Sequence, residues 1–341
     1  MWTLDSPNKE LKVMIEQQGD GSLRYCVSKH GKKVIEESSM GICTDLGDFT
    51  DGLLFEKEER DSIREEYSIP VGKKEVYTNH AQELALCFRA HESEFTVRLR
   101  AFDDGMAFRY EISTSGKDTF LVKRENTEFR ISENCDKLWL QDWIPTYEGP
   151  YNARNWDKSM NGQPFGMPSL FFSETDGEWI MLNEANVINT NGSYCSCHLV
   201  GNENRCMSVG FAPEEKGKPV KTRLPFQSPW RYAVAADNLD ELVNSTINYN
   251  LNPPSVIEDT SWIKPGRALW SWWEDMNGAQ LYLESRNYVD MAAAYGFEGL
   301  TLDCGWDACC GCFAGAASAF GASACAAGAA CGLAFGWSGT L

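Results

Sequence analysis

The run Lys264-Pro265-Gly266-Arg267-Ala268-Leu269-Trp270-Ser271-Trp272-Trp273-Glu274-Asp275 opens the stretch that decides the fold, and Leu300-Thr301-Leu302-Asp303-Cys304-Gly305-Trp306 closes it. Ala268 to Trp273 reads as a short buried strand and Leu300 to Asp303 as the next one. Between them, Tyr282 to Tyr295 places Leu283, Val289, Ala292 and Ala293 near one helical face, and Gly296 suits the position just past a helix end. Two strands joined by a helix of this length form a parallel, right-handed βαβ unit. Each strand runs out into a polar and aromatic cluster, and a (β/α) barrel carries its chemistry at those strand ends. There Trp272, Trp273, Asp303 and Trp306 are candidate substrate-binding residues, because indole faces stack on the apolar faces of sugar rings and carboxylates accept from sugar hydroxyls. The competing reading makes Trp270 and Trp272, two apart, alternate as ordinary barrel core.

Upstream, residues 1–235 read as β almost throughout. Leu11, Val13 and Ile15 alternate with polar residues, as do Leu23, Tyr25 and Val27 after the Gly19-Asp20-Gly21 turn. A hairpin is predicted from Phe95 to Ile112 about Asp103-Asp104-Gly105, with Asp-Gly expected to supply the positive φ angles of a tight turn. Further strands are expected at 120–131, 137–141, 170–173, 179–183, 194–200 and 205–211, a density that implies a large sandwich. The long stretch Gln141 to Pro168, rich in aromatics, is either a functional loop or one packed on the sandwich. Asn238 and Glu241 form a capping-box signal, with Leu239, Leu242, Val243 and Ile247 on one helical face until Asn252-Pro253-Pro254 stops it. The expected domains are a β sandwich over 1–250, a linker over 251–264 and the start of a barrel over 265–307.

A formal net charge of −18 disfavours nucleic acid as a partner, since phosphate binding needs clustered Lys and Arg. No apolar run before residue 307 approaches a membrane span, and no signal peptide is read at Met1. Phosphate-loop, nucleophile-elbow and HExxH patterns are absent, and His30, His80, His91 and His198 stand isolated. The cysteines before residue 300 are scattered singly without zinc spacing, although Cys197 and Cys206 flank a turn and could face each other as a disulfide. Residues 308–341 hold 12 Ala, 7 Gly and 5 Cys with no charged residue. They read either as a small-residue packing segment or, preferably, as sequence foreign to the domain before it. Glu184, ending the apolar run Trp179-Ile180-Met181-Leu182-Asn183, is a weak candidate ligand for a hard cation.

Taken in order, Arg100-Ala101-Phe102-Asp103-Asp104-Gly105-Met106-Ala107-Phe108-Arg109-Tyr110, Ser228-Pro229-Trp230-Arg231 and Asn250-Leu251-Asn252-Pro253-Pro254 lead into Asp259 to Arg267 and the Trp-Ser-Trp-Trp strand. This ordered set resembles glycoside hydrolase family 97, bacterial exo-acting α-glucosidases and α-galactosidases, from about residue 5 to residue 307. The resemblance implies an N-terminal β-super-sandwich followed by a (β/α)8 barrel, of which only the first βαβ unit is legible here. It further implies an α-glycoside or oligosaccharide substrate, a periplasmic or secreted location, and calcium near the catalytic carboxylates. Glu184 matches the calcium ligand drawn from the N-terminal domain. Trp272, Trp273, Asp303 and Trp306 match the start of the sugar-binding face. No residue matches the family's catalytic acid, base or nucleophile, so the chain by itself is expected to be inactive. The rival reading is a non-catalytic carbohydrate-binding or structural β domain, which would not need the βαβ unit after residue 264.

Overall fold

Strict alternation builds the first layer. Leu11, Val13 and Ile15 of strand Leu11–Gln17 are fully buried while Lys12 and Glu16 face solvent. That strand lies between Trp2–Asp5 and Leu23–Lys29, and the antiparallel sheet continues through Lys32–Ser39, Glu128–Ile131, Cys206–Phe211, Cys197–Gly201 and Pro164–Phe165. The computed structural model describes residues 1–69, 72–144, 146–189, 192–193, 197–211, 218–274 and 282–302. It divides into two compact units, Met1–Val256 and Ile257–Leu341.

A larger antiparallel sheet forms the second layer of the first unit. Its order is Tyr151–Arg154, Lys137–Gln141, Ser169–Phe172, Trp179–Ala185, Trp230–Ala236, Gly105–Ser113, Ser93–Phe102, Val76–Ala90 and Leu54–Ser68, with Phe226–Gln227 also pairing to Gly105–Ser113. A three-stranded sheet, Val220–Arg223, Thr119–Glu125 and Ile42–Thr44, adjoins them. One continuous core joins the layers, and the Tyr25 and Phe108 rings meet across it at 5.2 Å. This is the mainly antiparallel β sandwich that the alternation predicts.

Strand Trp230–Ala236 is buried at all seven positions because both of its faces are covered. Ala233 and Ala235 point into the sandwich core, while Trp230, Tyr232, Val234 and Ala236 pack beneath Leu242, Ile247 and Leu251 of the helical segment that follows. Period 2 therefore aims Arg231 into the sandwich.

Several expectations are corrected. Residues 120–131 are two strands in different sheets, Thr119–Glu125 and Glu128–Ile131. The Phe102–Gly105 turn places no left-handed φ at Asp103, Asp104 or Gly105. Gly105 is needed for close packing instead: a Cβ there would lie 2.2 Å from the Ala233 carbonyl oxygen. Cys197 pairs with Phe211, at the far end of the hairpin from Cys206, so no disulfide forms between them. Asn238 does cap helix Leu239–Asn244, its side chain accepting from the Glu241 N–H at 2.9 Å. That helix ends before a second, Ile247–Asn250, and the break leaves Leu239 and Val243 exposed. The long strand Leu54–Ser68 escapes sequence reading because its charged residues show no apolar period. It forms an edge, held by its 15-residue partner Val76–Ala90 and guarded by its charges. Within the aromatic stretch after Gln141, Trp156 packs on the sandwich, its ring stacking on Phe171 and its Nε1 donating to the Cys135 carbonyl, while Tyr147 and Tyr151 stay partly exposed.

In the second unit, Ala268–Trp270 and Gly299–Thr301 pair in parallel, joined through helix Tyr282–Tyr295. Gly296 takes φ +69° just past the helix, where an L side chain would be strained.

Candidate functional site

Glu184 occupies the inner face of strand Trp179–Ala185, following Ile180 and Leu182 at period 2. The register sets it directly opposite Arg231. Arg231 Nη1 donates to Glu184 Oε2 at 2.5 Å, and its Nε and Nη2 donate to Glu125 Oε2 and Oε1 at 3.1 and 2.5 Å. Glu125 ends a strand of the small sheet, so the guanidinium ties that sheet to the large one. Thr127 Oγ1 donates to Glu125 Oε2 at 3.1 Å, and the Tyr110 hydroxyl lies 2.7 Å from Thr127 Oγ1. The Cys197 backbone N–H reaches both oxygens of Glu184, at 3.1 and 3.2 Å. Side-chain exposure is 1% for Arg231, 0% for Glu125 and 9% for Glu184. Burial pushes the Glu184 carboxyl above the ordinary carboxylate range, while the Arg231 charge and the Cys197 N–H pull it back.

This arrangement is an anchored, charge-assisted network. It holds the Glu184 carboxylate, the expected calcium ligand, against the Arg231 guanidinium. Among the described residues no group of three or more His, Cys, Asp or Glu could hold a metal. Calcium takes six to eight oxygens, and the described residues do not assemble such a shell. Sequence reading named Glu184 as a candidate but missed Arg231 as its partner and Glu125 as the second carboxylate on Arg231. The available signal was an Arg inside the apolar run Trp230-Arg231-Tyr232-Ala233-Val234, since a buried guanidinium demands carboxylates.

The other candidates belong to the second unit. Strand Ala268–Trp270 passes into a 3-10 turn, Ser271–Trp273, earlier than the strand expected to reach Trp273. The Trp270 and Trp273 rings approach at 5.6 Å, and Trp273 is 84% exposed. Trp272 is half-buried beside it. Tyr288 donates its hydroxyl to Glu274 Oε2 at 2.6 Å, fixing the helix to the turn. Parallel pairing brings the carboxyl ends of both strands to the same edge, so Thr301 lies beside Trp270. Asp303 and Trp306 lie outside the described residues.

The description "Glycosyl-hydrolase 97 N-terminal" matches residues 4–254. A probable retaining alpha-galactosidase of Streptomyces bingchenggensis is 29% identical over 311 residues, spanning 89% of this chain and 47% of that protein. A retaining alpha-galactosidase of Bacteroides thetaiotaomicron is 26% identical over 339 residues, 89% of this chain and 50% of that protein. Among solved structures, a beta-arabinopyranosidase superposes with a TM-score of 0.78 at 27% identity, over 91% of this chain and 52% of that one. A family 97 enzyme of Pseudoalteromonas sp. strain K8, in complex with acarbose, gives 0.76 at 25%, over 90% and 48%. The chain thus spans about half the length of the curated relatives it matches. With three quarters of its length matched by one family description and the same sandwich found in that family's solved enzymes, the chain belongs to glycoside hydrolase family 97 through its N-terminal region.

Proposed function

We propose that this chain is the N-terminal sandwich and the beginning of the catalytic barrel of an exo-acting α-glycosidase that removes terminal α-galactosyl or α-glucosyl units. The observation carrying the reading is the family match over residues 4–254 followed directly by a parallel βαβ unit, an arrangement that a stand-alone binding module would not need. The two curated relatives, both named as retaining alpha-galactosidases, favour the galactoside. In this reading Trp272 and Trp273 offer indole faces to the apolar face of the sugar, and Asp303 and Trp306 extend that rim. Glu184 contributes one oxygen toward calcium, with Arg231 fixing its position. Acid–base chemistry falls to carboxylates that no residue of this sequence matches, so the 341-residue chain binds without turning over. An exported location, periplasmic or secreted, rests on the resemblance. No helix among the described residues is long and apolar enough to cross a membrane.

The test compares hydrolysis of p-nitrophenyl α-galactoside and α-glucoside by this chain and by the full reading frame of its parent gene. Turnover by the parent alone, abolished by replacing both Trp272 and Trp273 with Ala, is the expected result. A parent with no α-glycosidase activity refutes the reading, and turnover by the 341-residue chain refutes the assignment of its acid–base groups.

A further inference from the structure

The helix after strand Trp230–Ala236 leaves part of the sheet face beside it open. Leu242 is the one buried side chain of helix Leu239–Asn244, while Leu239 and Val243 are 51% and 58% exposed. Next to them, on the outer face of the large sheet, lies a cavity of about 700 Å³, within the size range of small-molecule sites. Register builds its floor: Trp139 lies opposite Leu170 and Leu170 opposite Met181, one row across three strands. Trp179 stacks on Phe172 at 4.4 Å and on Trp139 at 5.6 Å beside that row. Trp139, Leu170, Trp179 and Met181 are each half-buried, so a ligand can reach them.

The other end of the cavity is polar and positive. Strands Lys137–Gln141 and Val76–Ala90 lie on opposite sides of Trp230–Ala236 in the sheet, and Lys73 comes from the segment just before the second of them. Its ammonium donates to the Val243 carbonyl. The Lys74 N–H donates to the Tyr77 hydroxyl at 3.2 Å, and the Tyr77 ring packs on that of Tyr249 at 4.9 Å, so Tyr249 lines the cavity at the Lys73 end. An ammonium has three donors, and Lys73 is exposed, so two remain open to a ligand. Among the described residues Lys73 is the only charged group of the lining. The chain has 49 acidic and 31 basic residues, yet an anion seated here contacts an ammonium and no acid. The net charge of −18 acts from farther away and is screened beyond about 8 Å at physiological ionic strength.

We infer that this cavity binds an amphipathic monoanion, a medium-length alkyl chain ending in one carboxylate. The indoles, Leu170 and Met181 give the chain an apolar floor, Leu239 and Val243 give it a wall, and Lys73 receives the headgroup. Charge and length discriminate together. A cationic head is repelled by Lys73, a neutral head forgoes the ion pair, and a second carboxylate finds no further cation among the described lining residues. Each methylene taken out of water is worth about fourfold in affinity, so the floor supplies most of the binding and Lys73 sets its direction. The inference goes beyond the proposed hydrolysis and does not rest on it, since every residue it invokes lies in the first unit.

The experiment is titration calorimetry of the full chain near neutral pH with octanoate and decanoate, each kept monomeric, and with 1-octanol as the neutral probe. Decanoate should saturate one site about tenfold more tightly than octanoate, and octanoate should bind more tightly than octanol. K73Q should weaken both carboxylates about threefold to fivefold and leave octanol unchanged. V243D sets a carboxylate on the wall and should weaken decanoate about tenfold or more. Both positions are exposed, so neither substitution threatens the fold. Absence of saturable decanoate binding overturns the inference. So does octanol binding as tightly as octanoate, or binding indifferent to both substitutions. Sedimentation of the unliganded chain as a dimer that V243D dissociates would assign the cavity to a second copy and overturn it as well. Loss of glycosidase activity in the parent leaves these outcomes unchanged, so the two proposals fail separately.

Discussion

Replacing Arg231 with Met removes a cation from beneath two carboxylates while keeping most of the side-chain volume. The wild-type guanidinium makes contacts at 2.5, 2.5 and 3.1 Å, all in a side-chain environment less than a tenth exposed. Breaking a buried pair from one side costs about 3–5 kcal/mol, because the surviving charges stay desolvated. For a unit of this size, roughly 2–4 °C of melting temperature accompanies each kcal/mol, so R231M should melt about 6–20 °C lower near neutral pH. Protonating Glu184, whose carboxyl burial already pushes up, removes one of the stranded charges, so the deficit should narrow as pH falls. The triple variant R231M/E125Q/E184Q, with no charge left, should recover most of the loss. Thermal and urea unfolding followed by circular dichroism from pH 5 to 8 reads all three effects. A deficit under about 1 kcal/mol, or a triple variant no better than the single, would refute the claim that this network locks the two sheets together.

Burial lifts the Glu178 carboxyl from 4.5 to about 7, so the fold favours its protonated form. Its contribution is complete below pH 4.5 and is lost as pH rises through about 7, a change of roughly 3 kcal/mol that E178Q should flatten in pH-dependent urea titrations. Gly105→Ala drives a Cβ to within 2.2 Å of the Ala233 carbonyl and 2.7 Å of Ile247 Cδ1. It should destabilise the first unit by about 1–3 kcal/mol in chemical denaturation, and an unchanged midpoint would show that the strands separate freely. Calorimetric titration of this chain with calcium should detect nothing tighter than about 1 mM, with or without E184Q, because one carboxylate falls short of a six- to eight-oxygen shell. A micromolar site would contradict that geometry.

Local pattern alone determined much of this protein. Period-2 alternation in Leu11–Gln17 and Leu23–Lys29 specified strands with one buried face, and the Asn238–Glu241 signal specified a helix start, because these features depend on neighbours in sequence. The helix over 282–295 was legible for the same reason. Tertiary structure decided what depends on partners distant in the chain. Leu54–Ser68 is a strand because Val76–Ala90 pairs with it, not because of any apolar rhythm of its own. Gly105 is glycine because Ala233, far along the chain, presses against it. Glu184 shows the division most clearly. Its place at the end of an apolar strand was readable, but its chemistry was not, since the guanidinium that holds it arrives from residue 231 and brings Glu125 with it. The cavity floored by Trp139 and Met181 likewise exists only once strands starting at residues 137, 169 and 179 pair side by side and Lys73 meets them on one face of the sheet. Electrostatics and packing act through space, so a one-dimensional pattern registers the residues but not the encounter.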